Sequence, residues 1–347
     1  MGAEAERDVV ARAVIGVPPP GHDLPRTGRT TLGRVPPGWT LDVVAKSHGW
    51  SGLAPSSYDE TRRCFHRTLS LPDAGPLTVT VEASGVVTWG RVRGTDADRG
   101  EIRRQLRRML CVDDDVSEMH ASFARAPWLR WDPARGGGRL LRSPTVWEDL
   151  ARMLATTNCS WSLTKAMTTK LVDTLGEAGP AGERAFPTRA AVRDAGAVHL
   201  RDVVRAGYRA ASFVDLAGTD LDVESWLDSP LTDDELSAQI RSLRGFGPYA
   251  AEGMLGILGR PRGFAIDSWV RVKLPALLGK RSMTDEQIRR RYRSFGRWAG
   301  WALWTELTSD WFDATTPAGP GHRPVRELRA AAASATPPSA PVDSPRG

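Results

Sequence analysis

The 347-residue chain is poor in cysteine and has no long hydrophobic run, and each shortage excludes a class of protein. Cys64, Cys111 and Cys159 are the three cysteines, and they lie far apart. They cannot form a CxxC metal knuckle or a four-thiolate iron–sulfur site, and they do not suggest a disulfide framework, so they read as reduced, mostly buried thiols. No apolar stretch approaches the roughly 18 residues of a membrane span. The first residues, MGAEAERDVV, lack the apolar centre of a signal peptide, which leads us to expect a cytoplasmic protein with no membrane partner. No internal repeat is visible. What remains is ordinary in bulk: 41% hydrophobic and 25% charged residues, enough for a conventional core and about two domains.

The charge is not evenly spread. Between Arg241 and Trp304 stand thirteen Lys/Arg against Glu252, Asp267, Asp285 and Glu286, nine positive charges in excess. The whole chain carries +6, so the remainder is three negative. Basicity concentrated in one segment suits a polyanion, although a solvated arginine-rich face has the same composition.

The pattern along the chain predicts an α+β fold. Residues 1–30, rich in Pro, Gly and Arg, read as a flexible segment, and 313–347 as a disordered tail. Residues 31–125 read as a β-containing domain in which the period is two from about Trp39 to Val92: LTVTVEAS alternates, Gly85 turns the chain, and VVTWGRV returns as an antiparallel partner. From Glu101 onward the signals are helical. Ser143-Pro144 reads as a helix start. Further helices are expected near 163–175, 188–194, 201–217, 233–242, 249–258, 268–278, 285–293 and 295–311. Residues 126–312 therefore form a helical body.

One stretch of that body carries chemistry. In Leu243-Arg244-Gly245-Phe246-Gly247 two glycines permit a backbone turn, and Pro248 suits the first turn of the next helix. Backbone N–H groups at such a turn bind one phosphate without reading sequence. Downstream, Asp267 stands alone behind the apolar run Phe264-Ala265-Ile266. Taken alone, this acid is equally a helix cap.

Together these residues resemble the helix-hairpin-helix DNA glycosylase superfamily, with Arg244 where that family has proline. The likeness extends to ATTNCSW (155–161), GYRA (207–210) and AGWA (299–302), and spans roughly 39–312. It implies a small antiparallel β domain ahead of a two-lobed helical body, and a monomer acting on double-stranded DNA that contains a damaged base. It also implies a nucleoid-associated home. Asp267 becomes the catalytic carboxylate. Gly245, Phe246, Gly247, Tyr249 and Arg271 become DNA-binding residues. Asn158 and Tyr208 become candidates to fill and wedge the duplex when a base leaves the stack. Asn158 reads equally as a turn cap, and Arg209 either as a partner of the orphaned base or as a surface ion pair. Trp269, Trp301, Leu303 and Leu307 become base-pocket residues, with Trp298 and Trp304 as further aromatic walls, although a Trp stripe at helical spacing also suits a core. The run from Arg289 to Arg293 is either a phosphate contact or a solvated face.

Four positions separate the chain from 8-oxoguanine glycosylases. Leu163 stands where their second cytosine-reading arginine would be, Gly253 where a cysteine would be, and Leu303 and Leu307 where the base is read and stacked. Tyr249 stands where strand-nicking relatives carry a lysine, and Lys46, Lys165, Lys170, Lys273 and Lys280 match no such position. The resemblance thus implies a hydrolytic glycosylase without lyase activity. With Asp267 as the single recognisable acid, the expected substrate is an alkylated purine that already carries positive charge. No cofactor is expected beyond a monovalent cation held by hairpin carbonyls. The rival readings are an 8-oxoguanine-type enzyme and a non-catalytic helix-hairpin-helix DNA-binding module.

Overall fold

The structure, a computed structural model, describes residues 28–90 and 96–312. The expected disordered tail and all but the end of the expected flexible N-terminal segment lie outside the described residues. Among the described residues, five antiparallel strands form one sheet in the order β1-β5-β4-β3-β2. They are β1 (Gly28–Thr31), β2 (Ser56–Asp59), β3 (Cys64–Leu71), β4 (Gly75–Glu82) and β5 (Val86–Trp89). The alternation of β4 is realised: Leu77, Val79 and Val81 point into the core while Thr78 and Thr80 do not. Gly85 takes a φ of +78° at the turn, a conformation that side chains disfavour.

The expectation of a flexible segment up to residue 30 fails at its end. Gly28 already pairs with Trp89, and a Cβ on Gly28 would overlap the Trp89 indole. A glycine-rich composition looked like a loop because the partner strand lies far along the chain.

The sheet does not have a core of its own. Leu77, Val79 and Val81 share one continuous core with Leu150 and Leu154 of α5 (Val146–Thr156), Phe213 and Met254. The apolar face of the sheet also carries Arg67. Its guanidinium meets Glu148 of α5 at 2.6 Å, and Arg152 reaches the same carboxylate at 2.7 Å, with all three side chains at most 3% exposed. Burial pushes the Glu148 carboxyl up, and the two guanidiniums more than offset this, holding it below the usual range. α5 starts at Thr145, whose side chain accepts the Glu148 N–H, and not at Ser143. The Ser143 N–H instead donates to Asp149 Oδ1 at 2.7 Å.

A second apolar cluster forms the other lobe. It joins Met119 and Phe123 of α3 (Ser117–Phe123) to Ile266, Leu274, Ile288, Tyr292 and Leu307. The expected boundary at 125 therefore falls behind a helix that packs into this lobe. The expected helix 201–217 is two: α7 (Arg189–Asp202) and α8 (Arg209–Ala217), parted by a turn in which Gly207 has a φ of +58°. No helix among the described residues is long and apolar enough to cross a membrane.

Candidate active site

Helix α9 (Asp233–Ser242) begins with a Thr232/Glu235 capping box and leads into the hairpin. Gly245 has a φ of +93°, and a Cβ there would lie 2.7 Å from Leu154 Cδ1 and 3.2 Å from Ser212 Oγ. It is glycine both for its backbone angle and for its close approach to the core. Gly247 is different: nothing lies within 4 Å of where its Cβ would be, so the N-terminus of α10 (Pro248–Ile257) is open. Phe246 is buried and packs in the core, so the hairpin offers its backbone there and not its ring. Arg244 points outward and pairs with Asp215 at 3.0 Å.

Asp267 ends an extended segment whose Ile266 is anchored in the second lobe. It caps α11 (Ser268–Leu277), its Oδ1 accepting the Val270 N–H at 2.8 Å. A carboxylate has two oxygens, so the cap fixes the side chain and leaves one oxygen for a second role. Half-buried Asp267 lines a cavity of about 700 Å³ between the lobes.

The cavity is mostly apolar and aromatic. Trp269, Trp301, Leu303 and Leu307 all line it. Trp304 and Trp311 join them, whereas Trp298 packs in the second lobe with Arg297 over its ring at 4.6 Å. The rings of Trp269, Trp304 and Trp311 lie 5.7–6.0 Å apart. Lys273 sets its ammonium 4.8 Å from the Trp269 ring and 5.6 Å from the Trp311 ring, and pairs with Asp310 at 2.8 Å. These indoles thus already attract one cation. Trp50, Trp161, His48 and Lys46 close the wall from distant parts of the chain. Lys46 reaches the wall although its sequence position matched nothing, and it pairs with Glu60 at 3.4 Å.

One face of α10 forms the remaining wall through Tyr249, Glu252, Gly253 and Gly256. Tyr249 is a wall residue of the cavity, not a groove contact on the protein surface. Burial and the nearby charge of Asp267 both raise its phenol, which keeps it neutral. Glu252 is a second acid that sequence reasoning missed. The signal was there: 249, 252, 253 and 256 follow helical spacing, so Glu252 shares the face of Tyr249.

Asn158 and Tyr208 come together from separate turns, Asn158 Nδ2 donating to Tyr208 Oη at 3.2 Å. Asn158 takes a φ of +47°, and Tyr208 is 66% exposed. Leu163 and Trp161 are also exposed. Arg209 departs from expectation. It is 6% exposed, its Nε donates to the Thr157 carbonyl at 2.9 Å, and its guanidinium stacks on Tyr208 at 4.5 Å. It braces the Asn158–Tyr208 pair from behind and does not reach outward. Arg271, on the first turn of α11, is exposed and paired with Asp285 at 2.9 Å. The arginine run divides. Arg291 is held by Glu306 at 2.8 Å and Arg289 lies over Phe264, while Arg290 and Arg293 are exposed.

The fold of this chain is similar to that of solved 3-methyladenine and 8-oxoguanine DNA glycosylases. A 3-methyladenine DNA glycosylase from Archaeoglobus fulgidus superposes with a TM-score of 0.65 at 21% identity, over 82% of this chain and 99% of that one. The 8-oxoguanine glycosylase/lyase of Clostridium acetobutylicum, in its apo form, gives 0.57 at 18% identity over 75% and 92%. Its complex with double-stranded DNA containing cytosine opposite 8-oxoguanine gives the same score. No protein-family model and no curated protein matches the sequence. At these identities the likeness is one of fold.

Proposed function

We propose that this chain is a monofunctional DNA glycosylase that removes alkylated purines from duplex DNA. The reading is carried by one observation: a capped, half-buried carboxylate, Asp267, shares a cavity with a cluster of indoles. Leaving of the base takes the electron pair of the N-glycosidic bond and builds positive charge on the deoxyribose. The free oxygen of Asp267 stabilises that charge, orients the water whose oxygen bonds to C1′, and accepts the proton that this water loses. Apolar walls strengthen the effect by excluding bulk water. The open N-terminus of α10 at Gly247 holds a phosphate, and Asn158 with Tyr208 fills the duplex where the base has left.

The substrate follows from the walls. An N3- or N7-alkylated purine is electron-poor, and stacking on indoles attracts such a cation by about 0.5–2 kcal/mol. Leu303, Leu307 and Gly253 offer no polar side chain to read 8-oxoguanine. With Tyr249 in the place of the family lysine, the enzyme hydrolyses and does not nick. It acts as a monomer on nucleoid DNA in the cytoplasm. A monovalent cation would use carbonyl lone pairs of the hairpin, where Leu243 and Gly247 each already accept one backbone N–H. The test is single-turnover release of 3-methyladenine, 7-methylguanine and 8-oxoguanine from matched duplexes. Faster release of the methylated bases supports the reading, and preferential release of 8-oxoguanine overturns it.

A further inference from the structure

Glu252 has no counterpart in the role given to Asp267. It sits one helical turn beyond Tyr249, half-buried in the cavity wall. The Gly263 backbone lies so close that a Cβ there would overlap the Glu252 carboxylate. A Cβ on Gly300 would in turn overlap the Gly263 carbonyl. The carboxylate is thus held in place by a loop that is itself wedged against α13 (Ala299–Thr308). The cations that act on Glu252, Arg289 and Arg262, do so through space and without a hydrogen bond. Arg289 is committed to the Phe264 ring, 5.3 Å away. Burial is the main influence on the group and pushes its carboxyl up, with Asp233 and Asp234 adding to the rise. Lys46, His48, Cys159, Tyr249 and Asp267 are the other titratable side chains of the cavity wall.

An acid without a close cationic partner among the described residues, beside an aromatic wall, favours a ligand that brings its own positive charge. We infer that Glu252 is a specificity-determining residue of this cavity, one that selects a purine ring carrying positive charge over the same ring without it. Its action differs from that of the indoles. Stacking favours any flat ring, whereas a carboxylate discriminates by charge, and entry of a cation draws the carboxyl toward its ionised form. A hydrogen bond from an exocyclic amine to Glu252 would help charged and neutral purines alike, so it leaves the preference unchanged.

This inference rests on the proposed glycosylase reading, and one experiment separates them. Duplexes carrying 2′-fluoro-7-methylguanosine or 2′-fluoroguanosine at one site resist base loss, and their affinities are read by fluorescence anisotropy. The wild type should bind the methylated duplex about tenfold more tightly. Glu252→Gln, nearly the same shape without the charge, should bring the two affinities within about twofold, while Glu252→Asp retains most of the preference. Equal binding of the unmethylated duplex by all three proteins shows that the fold is intact. A Gln variant that keeps the full preference, or a wild type that has none, overturns the role of Glu252. Release of base from the same sequences without fluorine tests the glycosylase reading separately. Charge preference without release would leave Glu252 as assigned and remove the enzyme.

Discussion

The hairpin and the cavity adjoin on one helix, α10, and they are built in opposite ways. The hairpin is five consecutive residues whose shape depends on missing side chains: Gly245 must approach Leu154, and Gly247 must leave a helix N-terminus uncovered. The cavity depends on side chains that are present, drawn from segments as distant as His48, Trp161, Asp267 and Trp311. One site offers backbone dipoles that suit any phosphate. The other offers a particular arrangement of charge and rings, which in the proposed function would suit a particular base. Affinity should therefore live in the hairpin and chemistry in the cavity.

The largest effect is expected beneath both. α5 places Leu154 under Gly245 and lends Met153 and Thr156 to the cavity, and Glu148 ties this helix to the sheet. Glu148→Ala leaves Arg67 and Arg152 buried without their partner and should cost about 3–5 kcal/mol of stability, measured by denaturant unfolding. Because the folded state holds this carboxyl below its usual range, its contribution is full above the unfolded value and is lost as pH falls. The deficit of the variant should accordingly shrink toward acid pH. A deficit that grows there would contradict the ion-pair account.

Asp267→Asn should lower single-turnover base release by about 10²-fold or more while duplex affinity stays near that of the wild type. Asparagine can still accept the Val270 N–H, so the cap survives and only the charge is lost. Wild-type rates would remove Asp267 from the chemistry. Gly245→Val should do the reverse. A β-branched residue at a φ of +93°, against Leu154, should displace the hairpin and weaken binding of damaged and undamaged duplexes alike by about tenfold. The salt dependence should flatten as a phosphate contact goes. If instead only damaged DNA binds less well, the division between affinity and chemistry is wrong.

The smallest effect is an expected absence. Borohydride should trap no protein–DNA adduct on the timescale of base release, because a tyrosine stands at 249. An adduct would overturn the monofunctional reading, and Lys46, the lysine on the cavity wall, would be the first to substitute.

Local chemistry was legible in the sequence wherever neighbours in the chain are neighbours in space. The β4–β5 hairpin, the Gly245–Gly247 turn, the Asp267 cap and the concentration of arginine after Arg241 all satisfy this condition. Periodicity fails where partners are remote or where a turn hides within a helical pattern. Gly28 was missed because Trp89 pairs with it from afar, and the break between α7 and α8 because apolar spacing runs across Gly207. Arg209 was misplaced because an arginine has no preference for the surface once a carbonyl and an aromatic ring are offered inside. Glu252 could have been found by its helical spacing, but only packing shows that this face of α10 borders a cavity. The residue types needed for the chemistry were set by the sequence. Which of them share a cavity, and whether a charge meets a partner there, depended on the tertiary structure, since burial and long-range contact exist only once the lobes have closed on each other.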